Sequence, residues 1–232
     1  MKNKNSKTLI VIKISGSIFN LTNKGNELDK LCEFFVEQEK EGFQLILVAG
    51  GGITAKQYIK QARKLGANEA FLDEVGIEVS RLNAKMMLPK LGESTYQNIP
   101  TDLDEIVEAV STGLHVVTGG LHPGHSTNAV AALISERIQA RLFINATDVE
   151  GIYSEDPEKN KKAELFKRIN IEKLFKIIMS QEMDAGTYNL MDLTALKIIK
   201  RSKIPTIVIK CSEDRIEKAL NDKEIGTKIE VI

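Results

Sequence analysis

Apolar and polar positions divide the chain into two alternating kinds of segment. Short apolar runs occupy residues 8–14 (TLIVIKI), 43–49 (FQLILVA), 114–117, 141–146 (RLFINA) and 205–210. Each reads as a strand buried in a sheet. Between them, apolar residues recur at spacings of three and four, the period of a helix with one buried face. Residues 27–41 carry Leu28, Leu31, Phe35 and Val36 on one stripe, and Gly42 closes the segment. A second helix is expected from about 54 to 65. A third is expected over 71–91, with Leu72, Val75, Val79, Leu82 and Met86 inward and Pro89 ending it. Residues 101–104 (TDLD) resemble a capping start for a helix through Val110, which Gly113 terminates. Val130, Leu133, Ile134 and Ile138 mark another helix, with Ser126, Thr127 and Asn128 all able to cap it. A short helix over 171–179, a helix over 191–202, part of a last helix at 216–220 and a final strand through 226–232 complete the pattern. Strands alternating with helices predict an α/β fold with a mainly parallel sheet covered on both faces.

The residues just past the strands suggest chemistry. Lys13 ends the first strand and runs into Ser15-Gly16-Ser17. A lysine there is a point charge able to follow a moving phosphoryl group; alternatively it snorkels out at a strand end. The second strand runs into Gly50-Gly51-Gly52, where close approach of a ligand to the backbone explains three glycines better than a plain turn does. The third enters residues 118–125 (TGGLHPGH) and then a helix start, a ready anion site or a tight turn. The fourth is followed by Thr147, Asp148 and, further on, Tyr153 and Asp156. All these turns are expected at the carboxyl edge of the sheet, where open α/β sheets bind ligands. A further flexible turn is expected at 184–188.

Composition narrows the classes. The 232 residues are 42% apolar and 28% charged, ordinary for a soluble globular protein. With 32 basic and 32 acidic residues the formal net charge is zero, so nothing supports nucleic-acid binding. Lys2, Lys4 and Lys7 read as a short solvated tail. No apolar run is long enough to cross a membrane and no signal-peptide pattern opens the chain, so a cytoplasmic protein is expected. Cys32 and Cys211 are read as two reduced thiols, and three histidines offer no metal site without carboxylate help. Walker, GxGxxG, HRD and DFG motifs are absent. A Ser-His-Asp hydrolase built on Ser126 with His122 or His125 lacks the GxSxG elbow. Phosphoryl transfer, which needs positioning and charge neutralisation, suits the glycines, lysine and hydroxyls better.

Five segments stand out in order, LIVIKISGS, LVAGGGITAKQYI, VTGGLHPGHSTNAVAALISE, NATDVEGIYSEDP and MDLTALKIIKRSKI, together with FLDEVGIEVSRLNA. They resemble the amino acid kinase superfamily and, within it, the archaeal-type uridylate (UMP) kinases. The resemblance covers nearly the whole chain. It implies ATP-dependent phosphorylation of UMP to UDP in pyrimidine biosynthesis, with Mg2+, on a three-layer αβα sandwich, usually as a homohexamer. It implies a single domain, with an acceptor lobe over roughly 1–146 and an ATP lobe over roughly 147–232. By position, Lys13, Ser15, Gly16, Ser17, Gly52, Lys56, Thr147, Asp148, Tyr153 and Asp156 would bind ATP. Gly51, Asp73, His122, Pro123, Gly124, His125, Ser126, Thr127 and Asn128 would bind UMP. Lys13 and Asp148 would be catalytic, Lys13 as the charge on the moving phosphoryl group and Asp148 placing Lys13 or magnesium, with no metal site owned by the protein. Lys56 stands where arginine is usual, Asn128 where many relatives have aspartate, and Glu150 replaces the aspartate of the common VDG turn. Another small-molecule kinase of the superfamily, or a non-catalytic oxyanion-binding or storage protein, are the alternatives.

Overall fold

The structure is a computed structural model that describes residues 7–22, 25–157, 159–181 and 191–231. The expected turn at 184–188, Lys2, Lys4 and the last residue of the expected final strand lie outside the described residues. In chain order the elements are β1 (Thr8–Ile14), α1 (Glu27–Gln38), β2 (Phe43–Ala49), α2 (Gly52–Lys64), α3 (Glu69–Leu91), α4 (Leu103–Ser111), β3 (Val116–Thr118) and α5 (Thr127–Arg137). They continue as β4 (Leu142–Thr147), β5 (Arg168–Asn170), α6 (Ile171–Gln181), α7 (Leu193–Ser202), β6 (Thr206–Lys210), α8 (Glu213–Leu220) and β7 (Thr227–Glu230). A turn of 3-10 helix, Gly16–Phe19, follows β1.

One seven-stranded sheet, ordered β3-β2-β1-β4-β6-β7-β5, runs through the molecule. All neighbours are parallel except β6 and β7. Alternation along each strand feeds two cores. Val11, Val48, Phe143 and Val208 pack with α4, α5, α6 and α7 on one face. Ile12, Leu47, Ile144 and Ile209 pack with α1, α3 and α8 on the other. The strands with the longest apolar runs, β1 and β2, therefore sit inside the sheet with both faces covered.

Several expectations need correction. The third helix passes through Pro89 to Leu91, and Gly92, with φ of 58°, ends it. The ring costs only one carbonyl its partner when it falls in the last turn. Leu82 and Met86 are 57% and 43% exposed; Ser80, Asn83, Ala84 and Met87 take the inward positions instead. The strand β5 was not expected: its three residues carry one buried side chain, Ile169, too short for a periodic signal. Lys7 is not a free tail residue, since its ammonium binds the Glu39 carboxylate at 2.7 Å and the Gly113 carbonyl at 3.0 Å.

Candidate functional site

Parallel β1, β2, β3 and β4 end on a common edge, and there the predicted turns converge. The Ser15–Ser17 turn and the Gly50–Gly52 turn lie backbone against backbone. A Cβ on Gly16 would collide with the main chain of Gly52, and a Cβ on Gly52 or Gly50 with that of Gly16. This changes the reading of the triple glycine: two of the three are required by the neighbouring turn, before any ligand arrives. Gly52 also has φ of 63°, a conformation costly for other residues.

Lys13 leaves β1 beside these turns, flanked in register by Val48 of β2 and Asn145 of β4. It shares the face of Val11 and Val48, the face covered by α5. Burial pulls its ammonium below the ordinary lysine range, while the Asp148 carboxylate opposes that shift. Asp148 Oδ1 accepts hydrogen bonds from the hydroxyls of Ser15, at 2.6 Å, and Ser17. One carboxylate thus fastens the first turn to the end of β4. Thr147, Asp148 and Ser17 line a cavity of about 610 Å³ together with Lys30, Lys210 and Cys211. Burial pushes the Cys211 thiol up to about 11, so it is protonated at neutral pH. Lys30, Lys210 and Cys211 were not legible as site residues, since nothing in their spacing sets them apart.

Residues 119–128 form the second half of the site. Ser126 caps α5, its Oγ accepting from the amides of Asn128 and Ala129 at 3.1 Å each. Two of the donors expected to meet an anion at this helix start are therefore already engaged. The Ser126 hydroxyl in turn donates to Asp192 Oδ2, while Asp192 Oδ1 caps α7 by accepting from the Ala195 amide at 2.9 Å. Asp73, expected to meet the acceptor, accepts the Gly124 amide at 2.7 Å and so ties the loop to α3. His122, Pro123, Gly124 and Ser126 are exposed; His125, Thr127 and Asn128 are half-buried, and His125 donates its amide to the His122 carbonyl.

Helix α3 reaches both halves. Its Asn83 amide donates to the Gly50 carbonyl at 2.8 Å. Ser80 Oγ accepts the Gly120 amide at 2.7 Å. The Arg81 guanidinium donates to the carbonyls of Gly120, Leu121 and Thr101 at 3.0, 3.2 and 3.2 Å. These three were missed by sequence reasoning, yet a signal existed: polar residues at 80 and 83 interrupt the buried stripe.

Not every predicted residue joins this cluster. Lys56 is exposed on the second turn of α2. Tyr153 is half-buried and bridges to Leu165, and Asp156 closes its own turn through its carbonyl to the amides of Lys159 and Asn160. Neither lines the cavity beside Asp148. Among the described residues no three His, Cys, Asp or Glu side chains converge on a metal position. The donor set suits a magnesium ion that arrives on phosphates and takes at most a carboxylate from the protein.

Residues 8–210 match the Amino acid kinase family. The chain belongs to that family. Uridylate kinase of Sulfurisphaera tokodaii is 44% identical over 223 residues, covering 95% of this chain and 98% of that one. Uridylate kinase of Methanobrevibacter smithii is 39% identical over 221 residues, covering 95% and 98%. The crystal structure of the Archaeoglobus fulgidus uridylate kinase superposes with a TM-score of 0.84 at 39% identity, covering 95% of this chain and 99% of that one. For an amino acid kinase the paired glycine turns, Lys13 and the α5 start are where the sheet topology directs a ligand: past the carboxyl ends of the central strands.

Proposed function

We propose that this chain is a uridylate kinase that transfers the terminal phosphoryl group of ATP to UMP, giving UDP and ADP. The observation that carries this reading is the junction of two glycine turns at the ends of adjacent strands, with Lys13 rising from the same edge and Asp148 bracing it. Two turns in contact can hold two phosphates a short distance apart, and phosphoryl transfer needs little else from a protein.

In this reading a UMP phosphate oxygen bonds to the γ-phosphorus while the bond to the β–γ bridging oxygen breaks, its electrons leaving with ADP. The acceptor needs no strong base, because a phosphate monoester has its second pKa at about 6 and is largely ionised at neutral pH. Lys13 supplies the positive charge that the transferred group meets. Asp148 holds Ser15 and Ser17 in place and favours the charged form of Lys13. Magnesium, carried in on ATP, would neutralise phosphate charge there, with Asp148 the carboxylate that fits it. Lys13, the residues 15–17 turn, Gly52, Thr147 and Asp148 form the ATP side, to which Lys56, Tyr153 and Asp156 are assigned although they lie apart from the cavity beside Asp148; Gly51, Asp73 and residues 122–128 form the UMP side. The division into an acceptor lobe over about 1–146 and an ATP lobe over about 147–232 belongs to the same proposal. So do a cytoplasmic place in pyrimidine biosynthesis and a homohexamer. Exposed Ile53, Tyr58, Leu65, Phe71, Leu82 and Met86, all on or beside α2 and α3, support self-association. Among the described residues no helix is long and apolar enough to cross a membrane.

The test is ADP release by purified protein with ATP and Mg2+ across a panel of acceptors: UMP, CMP, dUMP, other nucleoside monophosphates, and carboxylates. UMP should exceed all others in kcat/KM. A different preferred acceptor, or no stimulation by any, overturns the reading. Lys13→Ala should lower kcat by about a thousandfold or more while ATP still binds; an oxyanion-storage protein would have no turnover to lose.

A further inference from the structure

Helix α3 makes an unusual set of contacts for a helix buried beside a sheet. Its polar side chains at 80, 81 and 83 reach main-chain atoms of two glycine-bearing turns, Gly50–Gly52 and the 118–125 turn after β3. The glycines there are fitted to it: a Cβ on Gly119 would strike Ser80 and the Arg81 amide nitrogen, and one on Gly120 would press on Ile77. Gly76 in turn lets α2 approach, since a Cβ there would lie 3.3 Å from Ile59.

The direction of these bonds matters. In a trans peptide the carbonyl of one residue and the amide of the next point in opposite directions, and no cis peptide occurs among the described residues. Arg81 takes the carbonyls of Gly120 and Leu121, so the amides of Leu121 and His122 are turned away from α3. Asn83 takes the carbonyl of Gly50, so the Gly51 amide is turned away as well. The Gly51 carbonyl is held by Asn83 at 3.4 Å and by the Ala55 amide at 3.2 Å, which orients the amide of Gly52. Among the described residues these four amides, of Gly51, Gly52, Leu121 and His122, donate to no protein acceptor. By contrast, the Gly120 amide, between them in the second turn, is occupied by Ser80. The pattern is selective: α3 uses up one donor and aims the others.

We propose that Arg81 and Asn83 are positioning residues of the phosphate site, holding carbonyls on α3 so that the amides of Gly51, Gly52, Leu121 and His122 converge on nucleotide phosphates. This deepens the kinase reading and rests on it for the identity of the phosphates. The residue types fit the task. Arginine spans three carbonyls with one rigid plane of donors, which the single ammonium of a lysine cannot do. Asn83 is almost wholly buried and its amide donates; an aspartate in its place would set a carboxylate against the Gly50 carbonyl.

The variants are Arg81→Lys and Asn83→Asp, with Asn83→Ala as the milder change. In steady-state assays each should raise KM for UMP about tenfold to a hundredfold, the range of losing aimed charge-assisted hydrogen bonds, with a smaller fall in kcat. A purely structural role would lower the melting temperature and leave KM near wild type. A second measurement needs no variant. In wild-type protein labelled with 15N at glycine and leucine, inorganic phosphate should shift the amides of Gly51, Gly52 and Leu121 while leaving those of Gly42 and Gly113 unmoved. The same titration on the variants should show those shifts lost or displaced to higher phosphate concentration. If wild type binds phosphate on these amides but does not phosphorylate UMP, the kinase reading falls and the positioning role stands. If UMP turns over while phosphate leaves the three amides unmoved, or while both Arg81→Lys and Asn83→Ala keep wild-type KM, the positioning role is overturned.

Discussion

Lys13 and Asp148 divide one job between them. Lys13 stands near the centre of the sheet, where burial disfavours its charge, and the carboxylate of Asp148 favours it. Asp148 is also a mechanical part, because both hydroxyls of the 15–17 turn end on its Oδ1. Replacing it with asparagine keeps an oxygen for those hydroxyls but removes the charge. The pKa of Lys13 in Asp148→Asn should therefore fall further, and a group whose cationic form is needed loses activity as pH rises through its pKa. The expected outcome is an alkaline limb of the kcat/KM profile displaced to lower pH in the variant, since that profile reports groups of the free enzyme. Profiles that superimpose on the alkaline side would show that Asp148 serves the turn alone.

At the scale of elements, the legible parts are those where one short stretch of sequence decides the outcome. Residues 8–14 and 43–49 are apolar runs broken only by Thr8, Lys13 and Gln44, and they become β1 and β2 with those bounds; the residues after them can only be turns, and glycines name their type. What escaped was decided by a second element. Two of the three consecutive glycines, Gly50 and Gly52, are explained by Gly16, 34 or more residues earlier in the chain. The exposed Leu82 and Met86 read as core because apolar spacing cannot say which side of a long helix meets the sheet, and Ser80 and Asn83 are inward because turn carbonyls and amides await them. This makes Gly16→Ala a test of turn packing. Its methyl meets main chain, which cannot swing aside as a side-chain end could, so about 1–3 kcal/mol of stability should be lost. The two turns should also part, with KM for ATP rising. Gly42→Ala is the comparison: φ is 84°, with no atom within 4 Å of the added carbon. It should cost about 1 kcal/mol from the left-handed backbone and leave KM unchanged. Equal KM for the two variants would mean that the Gly16–Gly52 contact does not shape the site.

Taken whole, the molecule places its chemistry at the carboxyl edge of the sheet and its one deeply buried histidine at the other end of the same strands. His115 precedes β3 and is fully buried; its Nδ1 accepts the Leu45 amide at 3.0 Å. The proton therefore sits on Nε2, which has the Phe35 carbonyl beside it but makes no hydrogen bond of standard geometry. Burial lowers its pKa to about 4, with Glu39 and Phe35 opposing and Lys7 assisting. The unfolded chain, with an ordinary histidine pKa of about 6.5, binds this proton first. Between those two values the unfolded state carries more protons than the folded one, so stability falls as pH falls. The slope is at most about 1.4 kcal/mol per pH unit, giving a loss of up to about 3 kcal/mol between pH 6.5 and 4. His115→Asn offers Leu45 an acceptor without a titrating ring and should flatten this part of the curve, although the smaller side chain lowers stability at pH 7.5. Urea unfolding of both proteins at pH 7.5, 6.5, 5.5 and 4.5 measures it, and parallel curves would remove His115 as the source of acid sensitivity. Kinase activity measured on the still-folded fraction should keep its KM for UMP in His115→Asn, since the length of β2 and β3 lies between this ring and the phosphate turns.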